Sequence, residues 1–135
     1  LGGIGLDLDE YNYQPIETID SPISFLFIGR LLKEKGIHDF ITAAKIVKQS
    51  YPDVQFTVLG ASDSSNPGAL QPSELDRLIS LNIINYPGQV DNVQKWIADS
   101  HVFVLPSYRE GVPRSTQEAM AIGRAVITAD VPGFR

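Results

Sequence analysis

A chain of 135 residues with 43% hydrophobic side chains can enclose one core of ordinary size and hardly two, so one domain or part of one is expected. The absence of cysteine excludes disulfide frameworks, thiol catalysis and thiolate metal sites, and points to a reduced, cytoplasmic setting. A net charge of -5 without a basic stripe argues against nucleic acid or an anionic membrane face.

In chain order, the opening "LGGIGLDLDEY" lacks an initiator methionine and the basic start of a signal peptide, and both ends read as cut. No apolar run approaches the roughly 18 to 20 residues of a membrane span, so a soluble chain is expected. "ISFLFIG" (residues 23–29) is a continuous β-rich run of the kind found in a strand covered on both faces. The helix that follows places Ile37, Phe40, Ile41, Ala44 and Val47 on one stripe. "VQFTVLG" (residues 54–60) is the second strand. After a polar loop containing Asn66-Pro67-Gly68, a short helix is predicted from Ser73, with Leu75, Leu78 and Ile79 facing inward. "NIINYPG" is a weaker third strand, and Asp91 with Gln94 can form a capping pair for the helix that carries Val93, Trp96 and Ile97. "HVFVLPS" (residues 101–107) is the fourth strand, a helix runs from about Ser115 to Gly123, and "AVITAD" is the fifth strand. Strand and helix alternating in this way predict right-handed crossovers and a Rossmann-like, doubly wound parallel α/β sheet.

Ligands of open parallel sheets bind outside the carboxyl ends of the strands. The loops leaving those ends start at Gly29, Gly60, Gly88, Ser107 and Asp130. Glycine there suits close approach of a backbone to a ligand, or merely turns a strand into a loop. In the first loop, "GRLLKEKG", Arg30, Lys33 and Lys35 stand within six residues. A guanidinium fork and an ammonium charge converging near backbone N–H groups suit a diphosphate, although a short basic run is also an ordinary solvated loop. Neither G-x-G-x-x-G nor a P-loop is present, which disfavours nicotinamide enzymes and nucleoside triphosphatases.

"SYREGVPRSTQEAMAIG" sets Glu110 and Glu118 eight residues apart across the junction of the fourth strand and its helix. Carboxylates there can accept hydrogen bonds from ligand hydroxyls. Each also has a structural use: Ser115-Thr116-Gln117-Glu118 reads as a capping box, and Glu110 ahead of the helix favours its positive end. The same helix start can receive phosphate oxygens. Residue chemistry alone leaves these readings side by side.

"FLFIGRLLKEKGI", "VQFTVLG" and above all "HVFVLPSYREGVPRSTQEAMAIGRAVITADVPG" resemble the C-terminal, nucleotide-sugar-binding half of the family-four, group-one retaining glycosyltransferases of the GT-B fold. The resemblance covers nearly the whole chain in order. It implies that Glu110 bonds hydroxyls of the donor sugar, that Glu118 holds the ribose, and that Arg30 and Lys35 bind the donor diphosphate. Backbone around Gly111, Val112, Arg114 and Ser115 would complete the phosphate and sugar contacts, with Gly29 at the exit of the first strand. Gly88, Gln89 and Val90 match the region beneath the nucleobase.

The implied activity is retaining transfer of a sugar from a nucleoside diphosphate sugar to an acceptor hydroxyl, with Arg30, Lys35 and Glu110 in the catalytic set. No metal or other cofactor is implied: Asp7-Leu8-Asp9 spells D-x-D but does not end an apolar strand. Residues 1–20 resemble the lead-in from an interdomain linker, and residues 21–135 the donor-binding domain, cut before its last strand and helices. An acceptor domain would precede it and bring a glycan, lipid-linked sugar or small molecule as partner, with membrane association through that domain. A GT-B-type nucleotide-sugar epimerase and a non-catalytic nucleotide-sugar binding module are the alternatives. The chain departs from the common pattern at Gly111-Val112-Pro113, where Pro113 has no N–H to give a ligand. Gly60-Ala61-Ser62 replaces a common Gly-x-Gly, and His38 and His101 match no family histidine.

Overall fold

A computed structural model of the chain describes residues 13–16, 22–107 and 114–129. Five strands, β1 (Ser24–Ile28), β2 (Gln55–Leu59), β3 (Asn85–Gly88), β4 (Val102–Leu105) and β5 (Ala125–Thr128), form one sheet in the order β3-β2-β1-β4-β5 with every pairing parallel. Between them run α1 (Ile37–Ser50), α2 (Pro72–Ser80), α3 (Val93–Ala98) and α4 (Arg114–Ile122). The chain steps outward from β1 to β3, returns to the other side of β1 at β4, and steps outward again. Right-handed crossovers therefore put α1 and α2 on one face and α3 and α4 on the other. Lys45 reaches from α1 to Glu74 of α2 at 3.8 Å, and α3 packs against α4, as that arrangement requires. The expected doubly wound sheet is the one observed.

The core follows from the strand and helix patterns. Register pairs Phe25 with Phe56, whose rings stack at 5.1 Å, and Phe40 of α1 meets Phe56 edge-on at 5.6 Å and Phe27 at 5.5 Å. Aromatic contacts of this kind add roughly 0.5–1.5 kcal/mol each beyond the area they bury. Ile37, Phe40, Ile41 and Ala44 are buried on the predicted α1 stripe, with Val47 packed at its edge. Ile97 of α3 and Ala119 and Ile122 of α4 fill the second layer. At the sheet edge, Pro87 interrupts the regular pairing of β3: Thr57 faces Asn85 and Leu59 faces Gly88, so one extra residue bulges.

Three local expectations are corrected. Ile79 is 40% exposed, because Leu75 and Leu78 already carry the buried face of α2, which starts at Pro72, where a missing N–H costs nothing. Asn92, not Asp91, occupies the position ahead of α3, without a side-chain capping bond, so the Asp91–Gln94 pair does not form. A 3-10 turn, Lys33–Lys35, also stands in the β1–α1 loop.

At the base of the sheet, Ser24 N–H donates to His101 Nδ1 at 3.0 Å and His101 N–H donates to the Ser24 carbonyl at 2.9 Å, which joins the starts of β1 and β4. Arg124, buried after α4, donates to the carbonyls of Ala98 (2.6 Å) and Gln14 (2.5 Å), tying residues 13–16 to the helix ends. Among the described residues, no helix is long and apolar enough to cross a membrane.

Candidate nucleotide-sugar site

The strand order reverses between β1 and β4, and the loops that leave those two strands are stitched together there. Ser107 Oγ donates to the Glu34 carbonyl at 3.0 Å. Gly36, at φ 84, ends the 3-10 turn so close to Pro106 that a Cβ would overlap its carbonyl oxygen. The loop carrying Arg30 and Lys35 is thereby fixed beside the exit of β4. Next to it, the exits of β1, β2 and β3 form a ladder: Gly29 N–H donates to the Leu59 carbonyl (2.9 Å) and Gly60 N–H to the Gly88 carbonyl (3.0 Å). Gly60, at φ 145, lies directly on the Gly29 carbonyl, and Tyr86 donates its hydroxyl to the Gly60 carbonyl at 2.7 Å. Burial raises the Tyr86 phenol above its ordinary 10.0, and the Ser62 N–H acts in the opposite direction.

Gly29 and Gly88 are rungs of the ladder, with open space above the Cα of Gly88. Gln89 is exposed, and Val90 packs against the core. Arg30 is exposed, and its Nη2 donates to Asp63 Oδ2 at 2.5 Å; Lys35 closes the 3-10 turn. Glu110, Gly111 and Val112 lie outside the described residues.

The capping box at Ser115 is not the arrangement found. α4 includes Arg114, so Ser115 lies inside its first turn, and Arg114 Nε donates to Glu118 Oε1 at 2.9 Å. Glu118 is buried, and a buried carboxylate requires a strong donor; the guanidinium one turn earlier supplies a charge-assisted bond. Arg114 and Glu118 are thus brought together, while the Arg30 guanidinium pairs with the β2–α2 loop.

Three contributors escaped the sequence reading: Asp63, Ser107 and Tyr86. Ser107 and Tyr86 act through backbone carbonyls distant in sequence, which no local pattern encodes. Asp63 stood in a loop read only as polar, although Asp63-Ser64-Ser65-Asn66 is rich in residues that organise turns through their side chains. Two cavities of about 200 and 280 Å³ open at the opposite end of the sheet, around Pro22, Gln55 and His101, and are lined by none of the predicted site residues. Small cavities far from the strand exits carry less weight than the switch point, where the loops converge. Among the described residues, no three His, Asp or Glu side chains gather as metal ligands.

Residues 22–135 match the family model described as glycosyl transferases group 1. Over 116 residues the chain is 33% identical to the N,N'-diacetylbacillosaminyl-diphospho-undecaprenol alpha-1,3-N-acetylgalactosaminyltransferase of Campylobacter jejuni, covering 86% of this chain and 29% of that enzyme. The chain spans about a third of the length of the curated relatives it matches. The solved C-terminal domain of the glycosyl transferase group 1 protein LpcC from Francisella tularensis superposes with a TM-score of 0.69 at 26% identity, over 92% of this chain and 70% of that one. The pneumococcal O-GlcNAc transferase GtfA, solved in complex with UDP and GlcNAc, gives 0.65 at 26% identity, over 83% and 21%. With the family model spanning all but the first residues and the GT-B-type parallel sheet in place, the chain belongs to the group 1 glycosyltransferase family.

Proposed function

We propose that this chain is the donor-binding domain of a retaining glycosyltransferase, which moves a sugar from a nucleoside diphosphate sugar to an acceptor hydroxyl without a metal. The observation that carries the reading is the stitched switch point, where the basic β1–α1 loop is tied through Ser107 and Gly36 to the exit of β4. A nucleoside diphosphate laid across these exits would meet Gly88, Gln89 and Val90 at its base and Glu118 at its ribose. Arg30 and Lys35 would meet its diphosphate and Glu110 the transferred sugar, and the backbone around Gly111, Val112, Arg114 and Ser115 would complete the phosphate and sugar contacts. Cationic groups at the diphosphate stabilise the negative charge that grows as the glycosidic bond breaks. The carboxylates orient hydroxyls and do not act as the acid and nucleophile of a glycosidase. The acceptor would be held outside these residues. A lipid-linked sugar, glycan or small molecule fits that role, and the Campylobacter relative's name specifies a diphospho-undecaprenol-linked saccharide.

The test has two arms. Calorimetric titration of this chain with UDP, GDP and ADP should show binding of one of them, without sugar transfer when the matching nucleotide sugar and acceptors are supplied. The protein carrying this chain should transfer the sugar with its anomeric configuration kept, read by NMR of the product. Absence of binding by any nucleotide would contradict the donor-site reading, and inversion would contradict the stereochemical one.

A further inference from the structure

Arg30 is held from outside its own loop. Its exposed guanidinium meets Asp63 of the β2–α2 loop, and the pair lies 33 residues apart in sequence. Asp63 is the more fixed partner: its side chain is 28% exposed against 56% for Arg30, and its Oδ1 accepts the Ser65 hydroxyl at 2.8 Å. The loop beneath it is ordered by its own bonds, from Asn66 N–H to the Asp63 carbonyl (3.1 Å) and from Gly68 N–H to Asn66 Oδ1 (2.8 Å). That loop is also laced to the one bearing Arg30. Leu31 N–H donates to the Ala61 carbonyl (3.1 Å), Lys33 N–H to the Gly68 carbonyl (2.8 Å) and Leu70 N–H to the Leu31 carbonyl (2.9 Å).

We propose that Asp63 is a positioning residue that pre-orients the Arg30 guanidinium for an anionic ligand, an inference that rests on Arg30 contacting a diphosphate. An exposed ion pair of this kind adds little to stability, so its consequence lies in where it holds the guanidinium. An arginine is rich in rotamers, and fixing it before binding removes part of the ordering cost that the ligand would otherwise bear. The single contact to Nη2 occupies one of the five guanidinium donors and leaves the remainder for phosphate oxygens. Lacing between the two loops keeps Asp63 and Arg30 in register, as a positioning device requires.

Titration of the protein with UDP, GDP and ADP, followed by the tightest of the three against variants, tests this. Asp63→Ala should weaken binding by about three- to tenfold, the range that ordering one long side chain accounts for. Asp63→Asn, which keeps an acceptor for Nη2, should stay within about twofold of the parent. In an Arg30→Ala background, Asp63→Ala should change nothing further, because its effect runs through Arg30. Tighter or unchanged binding by Asp63→Ala would make the carboxylate a competitor or a bystander and overturn the proposal. An equal loss in both backgrounds would assign Asp63 to loop folding alone and overturn it too. If the parent binds none of the three nucleotides, the donor-site reading fails and this inference falls with it; if the parent binds and the cycle shows no coupling, only this inference falls.

Discussion

Arg114 Nε and Glu118 Oε1 lie 2.9 Å apart, one helical turn from each other, with the carboxylate buried and the guanidinium half exposed. Arg114→Ala would leave that carboxylate without its donor, and the expected loss of stability is about 1–3 kcal/mol, the range for a buried group deprived of a charged partner. Urea unfolding checks this. Glu118→Gln can still accept from Arg114, so it should lose roughly 1 kcal/mol or less. Its nucleotide affinity should nevertheless fall if Glu118 holds a ribose; unchanged affinity would reduce Glu118 to a helix residue paired with Arg114.

Gly36 and Gly88 separate packing from backbone strain. Both have positive φ, 84 and 90, but a Cβ at Gly36 would overlap the Pro106 carbonyl, whereas Gly88 faces open space. Gly88→Ala should therefore cost only the left-handed strain, about 1–2 kcal/mol. Gly36→Ala should cost more, on the order of 3 kcal/mol, because it also pushes the β1 and β4 exits apart. Melting temperatures of the two variants give the comparison, and equal shifts would contradict the close contact.

For Tyr86 the sign follows from burial. Its proton is held more tightly in the folded chain than in the unfolded one, so any stability linked to it is fully present below about pH 10 and is lost as pH rises from there through the folded value. The difference in unfolding free energy between the parent and Tyr86→Phe should be constant at neutral pH and should fall above about pH 10. A difference that stays level to about pH 11 would show that the phenol titrates alike in both states.

The parts of this fold legible in the sequence were those encoded by local patterns. β1 and β2 are continuous apolar runs, α1 carries an unbroken stripe from Ile37 to Ala44, and glycine or proline marks most strand exits. The pattern failed where several solutions share one signal. Ile79 is as apolar as Leu78 but lies on the rim of α2, and Asn suits the position ahead of a helix as well as Asp, so Asn92 stands there in place of Asp91, without a side-chain cap. At the candidate site, the spacing of Glu110 and Glu118 is legible in the sequence, but the partner of Glu118 is not, because including one more residue, Arg114, in the helix replaces a backbone cap with a guanidinium. The contact of Arg30 with Asp63 and that of Ser107 with Glu34 arise only when distant loops meet, so neither has a local signature.

Whether positive charge acts at the diphosphate by position is decided by comparing three lysine and arginine variants of one loop in the protein that carries this chain. Arg30→Ala and Lys35→Ala should each remove a charge-assisted bond worth roughly 1.5–3 kcal/mol, about ten- to a hundredfold in kcat/KM. Because charge on the leaving diphosphate grows as the bond breaks, kcat should fall as well as KM rise. Lys33→Ala, with the same change of net charge in the same loop, should leave both parameters within about threefold. Large losses at Arg30 and Lys35 with Lys33 spared is the predicted result, and equal small losses at all three would contradict it.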